Sequence, residues 1–340
     1  MTQKGKSPKS KKAPLIIRII QLMLYIPIQI VFIPFTFVGI FIGLYKETVI
    51  GKKLGVSFSA GQTLQYRYCM HYMDTREDIN SVKFVNHYPC ESQFGLLSMF
   101  GALILSKRLF GFTTGLNRLP EIGYETMDKT AAARVIKFDE ILERNLDDVE
   151  QVVLPGVGYD LIAQKYTKGK NIRVYELDQV NTINVKTETL KKANIKHDWI
   201  TYIPVDYNNE SWTELLLEAG FDKNKRTLII WQSVSHFLNE ELVGETLKSM
   251  SELCSEGSII AQDFYSKEFI SGDTNFAAKK MRNMMAKNGE PWIFGIDMSK
   301  DPKAAVETFL KESGLALTSY MQFGEKLEIE PFYCIVESRL

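Results

Sequence analysis

The chain has 340 residues and a mass of 38.9 kDa, room for one large domain with an appendage, or for two modest domains, around a substantial core. Lysine plus arginine equals aspartate plus glutamate at 41 each, so no overall field favours nucleic acid as a partner. Cys69, Cys90, Cys254 and Cys334 are scattered, with no C-x-x-C and no histidine cluster nearby; that pattern excludes a zinc or redox motif, calls for no metal, and fits reduced thiols in a reducing compartment.

Residues 1–13 form a basic tail rich in Lys, Ser, Gly and Pro, of a composition that stays disordered. Lys4, Lys6, Lys9, Lys11, Lys12 and Arg18 fall in the first 18 residues, which hold no acid. Residues 14–46 read as a membrane anchor: from Ile19 to Leu44 there is no charged side chain, and a hydrocarbon layer of ~30 Å takes about 20 helical residues. The run is too long for a signal peptide and has no small-x-small site after it. Pro27 and Pro34 each remove a helical hydrogen bond, so a kink or a break into a re-entrant wedge is expected. The basic tail places the N-terminus in the cytoplasm. Lys46, Lys52 and Lys53 put charge at the other end too, which favours a monotopic anchor in membrane lipid through residues 19–44 over a full crossing, with the rest of the chain facing the cytoplasm.

Residues 47–125 are expected to form a helical cap. Within it Phe94–Leu105 is too short to span a bilayer and fits a core helix better than a second dip into the interface. Residues 126–340 alternate regularly. A helix at 128–144 precedes strands at 151–154, 172–177, 199–204, 227–231 and 258–262; helices near 158–166, 181–193, 212–219 and 240–254 separate them. Two further strands, 315–323 and 332–337, have no helix between them and suggest a closing antiparallel pair. This is the rhythm of an α/β fold with a doubly wound, mostly parallel seven-stranded sheet of Rossmann-like type. The stretch 264–302, rich in Met and Lys, reads as a lid.

Two strand ends stand out. Gln151–Leu154 breaks into Pro155-Gly156-Val157-Gly158-Tyr159-Asp160, and Val174-Tyr175 runs into Glu176-Leu177-Asp178. Glycines let a backbone approach a ligand or take positive φ. Glu176 and Asp178, two apart, point the same way on a strand, and an acid there can accept from both hydroxyls of a ribose.

Several ordered motifs carry a resemblance. Ala133-Arg134 with Phe138-Asp139, Gly156-Val157-Gly158-Tyr159-Asp160, Val174-Tyr175-Glu176-Leu177-Asp178-Gln179 with Lys186, Pro204-Val205-Asp206-Tyr207 with Trp212, Ala219-Gly220-Phe221-Asp222 and Gly289-Glu290-Pro291-Trp292 are similar, in order and spacing, to those of the leucine carboxyl methyltransferase family. That family methylates carboxylates with S-adenosyl-L-methionine (SAM) on a class I methyltransferase fold. The resemblance implies that Arg134 holds the methionine carboxylate of SAM. It implies that Gly156 and Gly158 admit the methionine moiety, that Asp178 with Glu176 takes the ribose, and that Asp206 with the backbone of Tyr207 reads the adenine. The chain departs from the family at Leu161-Ile162, where T-R is usual, at Val180 in place of proline, and at Gln232 in place of a carboxylate. Gln232 can still hydrogen-bond the cofactor but cannot neutralise its charge.

A carboxylate acceptor is ionised near pH 7 and needs no base; a hydroxyl would need one, and His236 is the nearest candidate. The expected function is therefore a membrane-attached SAM-dependent O-methyltransferase acting on a carboxylate of a lipophilic small molecule or of a protein. The alternative is a catalytically weakened SAM-binding membrane scaffold, motivated by Gln232 and Leu161-Ile162.

Overall fold

A computed structural model of the protein describes residues 14–114, 117–207, 209–271 and 276–340. The basic tail expected to be disordered lies outside the described residues.

Apolar runs without alternation make the centre of the sheet. β1 (Gln151–Pro155), β4 (Thr227–Trp231) and β5 (Ile259–Tyr265) are buried along their whole length, as parallel strands covered on both faces should be. With β2 (Arg173–Gln179), β3 (Ile200–Val205), β6 (Ala316–Gln322) and β7 (Tyr333–Arg339) they form a seven-stranded sheet of order β3-β2-β1-β4-β5-β7-β6. β1 to β5 pair in parallel, and β7 runs antiparallel to both β5 and β6. The closing pair expected from the sequence is this β6–β7 ladder.

Each face of the sheet carries its own core. Val152, Leu154, Leu228 and Ile230 pack with Phe138, Ile141 and Leu142 of α6 (Thr130–Asn145) on one face. Val153, Leu177, Ile229 and Trp231 pack on the other with Val243, Leu247 and Met250 of α10 (Glu240–Leu253). The strand order reverses between β1 and β4, the place where open α/β sheets leave a crevice.

The cap is helical: α3 (Phe58–Tyr72), α4 (Ile79–Val85) and α5 (Gln93–Phe110) share a core in which Leu64, Phe84, Tyr88 and Leu96 meet Tyr159 and Leu161 from the loop after β1. Buried Arg76 binds Asp139 of α6 through Nε and Nη2, at 2.6 and 2.9 Å, so the Phe138-Asp139 pair fastens the cap to the sheet. Phe94–Leu105 falls in α5, whose Leu96, Leu103 and Ile104 join the cap core, as expected of a core helix.

The apolar segment is α1 (Leu15–Tyr45), continued by one π-helical stretch (Lys46–Gly51) and α2 (Lys52–Leu54). The helix is continuous through Pro27 and Pro34, so the expected break into a re-entrant wedge is corrected to one unbroken helix. The reason is tertiary. α5 lies antiparallel along α1 across both prolines: Gln21 Nε2 donates to the Phe110 carbonyl at 2.8 Å, Tyr25 stacks on Phe112 at 4.3 Å, and Gly39 sits so close to Gly95 that a Cβ would lie 2.5 Å from its carbonyl oxygen. The rod is long and apolar enough to cross a membrane, a test that soluble core helices and signal sequences also pass. Unlike a core helix it leaves its outer side chains bare, with Ile16 72% and Phe41 70% exposed.

Candidate active site

The crevice at the strand tips is a cavity of about 880 Å³, walled by the turn after β1, the ends of β2 and β4, the start of α3, and the segment 281–292. Among the described residues no segment fills it. Gly156 and Gly158 take φ of +67° and +52°, and a Cβ on Gly156 would stand 2.4 Å from Val234. A bare backbone is therefore required at this turn. The Gly158 amide donates to Asp178 Oδ2 at 2.7 Å, so the two strand tips are tied to each other. Burial raises the Asp178 pKa, opposed by the amides of Gly158 and Gln179.

The structure brings Arg134, Gly156, Gly158, Asp178, Tyr207, Gln232 and His236 to the wall of this one cavity. It sends two residues elsewhere. Glu176 is fully buried behind the site, 2.6 Å from Lys186 Nζ. It does project to the same side of β2 as Asp178, but it lies beside Leu154, one row below the glycine turn, while Asp178 reaches past Pro155. Alternation determines the side a residue faces, and depth decides whether it meets a ligand. Glu176 is held in an internal ion pair instead of lining the cavity, and Lys186 also donates to the Asp160 carbonyl at 2.7 Å. Asp206 is likewise absent from the wall. Its carboxylate accepts from Asn209 Nδ2 at 2.7 Å and its carbonyl from the amides of Asn209 and Glu210. Nor does it cap the next helix, because Ser211 fills that position for α9 (Trp212–Glu218).

Two guanidinium groups face the cavity. Arg134 is 7% exposed and gives a hydrogen bond to the Ser233 hydroxyl; Arg67, from α3, gives one to Asp160. Among the described residues the Nε of each is buried without a hydrogen-bond partner. Burial disfavours the Arg134 charge, yet Tyr333, Tyr265 and Asp263 more than compensate and hold its pKa above the ordinary value. Ser233 adopts φ +61°, a position costly for a residue with a side chain. It is held by its amide on Asp263 Oδ1 at 2.7 Å.

His236 lies in an aromatic box, edge-on to Tyr265 at 5.0 Å and to Trp292 at 5.3 Å. Burial, then the charge of Arg134, pushes its pKa down to about 3, so the ring is neutral and a weak base at neutral pH. Beyond it the wall is apolar: Phe269, Met281, Met284, Met285 and Trp292.

Arg67 and the box of Tyr265 and Trp292 were not singled out in the sequence. Arg67 lies in Tyr66-Arg67-Tyr68 on a cap helix with no motif around it. Trp292 stood inside Gly289-Glu290-Pro291-Trp292 and could have been read from there.

A doubly wound sheet with one reversed strand, a glycine turn, an acid on the next strand and a buried guanidinium at the wall together form a crevice of the kind in which open α/β sheets bind nucleosides. The particular family read from the motifs is also the one whose model matches: leucine carboxyl methyltransferase, over residues 109–251. The match ends before Gly289-Glu290-Pro291-Trp292. Among curated proteins, one from Mycolicibacterium paratuberculosis, described as a candidate SAM-dependent methyltransferase, is 29% identical over 165 residues, covering 48% of this chain and 53% of its own. One of the same description from Mycolicibacterium gilvum is 25% identical, covering 58% of this chain and 66% of its own. The chain spans about half the length of the first of these relatives. An O-methyltransferase family protein from Burkholderia thailandensis has a TM-score of 0.43 at 9% identity, covering 63% of this chain and 60% of that one.

The wall fits SAM. The guanidinium of Arg134 is at the wall, the glycine turn leaves the backbone bare, and Asp178 stands at the strand tip. Bound there, SAM would supply an electrophilic methyl group.

Proposed function

We propose that the protein is a membrane-attached SAM-dependent O-methyltransferase whose acceptor is a carboxylate on a lipophilic small molecule or on a protein, with the catalytic body on the cytoplasmic side. Arg134 would hold the methionine carboxylate, Gly156 and Gly158 the methionine chain, and Asp178 the ribose. Tyr207 would lie by the base and Gln232 beside the methionine end. Membrane lipid would be met by the outer face of α1.

The observation that carries a carboxylate acceptor is His236. Buried at 3% exposure between Tyr265 and Trp292, its ring is held neutral and is a poor base for a hydroxyl, whereas a carboxylate arrives ionised and needs only alignment and the exclusion of water. Arg67, a guanidinium at the wall, suits an anionic acceptor. The apolar wall of Phe269, Trp292 and the three methionines suits a lipophilic body.

Calorimetry with SAM, followed by transfer of radiolabelled methyl to membrane extracts, tests this reading. Binding with label found in base-labile esters is expected. No SAM binding removes the proposal. Binding without transfer to any extract favours the scaffold reading, which Gln232 and the apolar Leu161-Ile162 support.

A further inference from the structure

The segment between β5 and the last helix contains α12 (Phe276–Lys287), with four basic residues, Lys279, Lys280, Arg282 and Lys287, and no acid. Its faces are sorted. Ala278 and Met285, seven apart, are buried toward the body, and Arg282 between them donates to the Ile270 carbonyl of α11 (Lys267–Ser271). Lys280, Met284 and Lys287, at spacings of four and three, look outward, with Lys279 and Met281 on the flanks, all exposed. Met281 is 44% and Met284 38% exposed, yet both also line the cavity. They stand at its mouth. Among the described residues Lys279, Lys280 and Lys287 have no ion-pair partner.

The position of α12 is as informative as its charge. Just past its end, Glu290 accepts hydrogen bonds from the amides of Phe58 and Ser59 at 2.8 and 2.9 Å, the first turn of α3, which follows closely on the exposed Lys52 and Lys53 at the end of the apolar rod. Exposed Ile293 continues the apolar edge. Charge and exposed methionine on one short helix make a surface suited to the boundary between lipid headgroups and acyl chains.

We infer that α12 is a gate seated on anionic lipid headgroups, through Lys279, Lys280 and Lys287, with Met281 and Met284 dipping into the acyl boundary so that the acceptor loads from the bilayer. The occupant is an anionic bilayer surface, chosen because the helix carries positive charge without an ion-pair partner among the described residues and because Glu290, just past it, is bonded to the helix that follows the apolar segment in the chain. This rests on the reading of a lipophilic acceptor given above.

The test uses the full chain reconstituted into phosphatidylcholine vesicles with or without phosphatidylserine. Hydrogen exchange is followed across 276–290, and flotation confirms that the chain stays with the vesicles. Exchange in α12 slower by about tenfold with phosphatidylserine, and lost in the Lys280→Gln/Lys287→Gln variant while flotation persists, is the expected result. Equal exchange in both vesicles, or equal protection in both, overturns the gate. Calorimetry with SAM on the same samples keeps the two readings apart: lipid-dependent protection without SAM binding leaves α12 a membrane surface and removes the methyltransferase.

Discussion

Glu290 caps the α3 helix at Phe58 from 232 residues away in sequence. The carboxylate takes two amides that a helix N-terminus leaves without partners, and the charge suits the positive end of the helix dipole. The stretch carrying Trp292 is thereby pinned to the cap, across the mouth of the cavity.

Glu290→Gln should loosen this clasp while keeping the side chain's size. A loss of about 1 kcal/mol is expected, with faster hydrogen exchange in the first turn of α3 and around Gly289. Unchanged exchange at both places would show that the clasp is incidental.

Gly156→Ala should weaken SAM binding without unfolding the chain. The new Cβ would meet Val234 at 2.4 Å in a backbone conformation of positive φ, and the strain of about 1–2 kcal/mol falls on the turn that faces the ligand. Calorimetry should show at least a tenfold loss of affinity. Asp178→Asn should also weaken binding, because the Gly158 amide loses a charged acceptor. Full affinity in both variants would remove the strand tips as the site.

The buried pair of Lys186 and Glu176 should matter for stability and not for ligand recognition. Lys186→Met leaves a buried carboxylate alone and should cost about 3–5 kcal/mol, whereas the Lys186→Met/Glu176→Gln double variant should recover a large part of it. Thermal unfolding of the two variants reads the difference. A double variant as unstable as the single one would argue against the pair.

Stability should fall on acidification through His236. Its folded pKa lies below the value of about 6.5 in an unfolded chain, so the unfolded state binds more protons between about pH 6.5 and 3. Stability therefore rises with pH across that window and declines as pH drops, by at most about 1.4 kcal/mol per unit from this group. His236→Phe should flatten part of that slope in unfolding midpoints taken from pH 7 to 4.5. An identical slope would place the acid sensitivity elsewhere.

The packing of α1 is open to a similar trial. Gly39→Leu puts a side chain where a Cβ already lies 2.5 Å from the Gly95 carbonyl. It should pry the rod from α5, seen as faster exchange in α5 with the sheet unaffected. No change in α5 would mean that α1 is free of it.

The alternation of apolar runs and helices made the sheet legible, because a parallel strand buried on both faces has to be continuously apolar. What escaped was whatever lacked a periodic signature. The helix α13 (Pro302–Glu312) was passed over although Asp301 and Pro302 are a standard start, with Asp301 Oδ1 accepting from the Ala304 amide at 3.0 Å. The cap helices were blurred because aromatic side chains fit many surroundings.

Sequence by itself determined the order of the strands in the chain, the bare turn at Gly156 and Gly158, the acid at the tip of β2 and the apolar rod, because each follows from side-chain size or polarity at near neighbours. Tertiary structure alone decided which acids reach the cavity. Asp178 does and Glu176 does not, since a separation of two residues along β2 means a difference in depth that only the neighbouring elements turn into exposure or burial. It also decided that Pro27 and Pro34 leave α1 whole, because the support comes from α5, a partner more than fifty residues away that no local pattern announces.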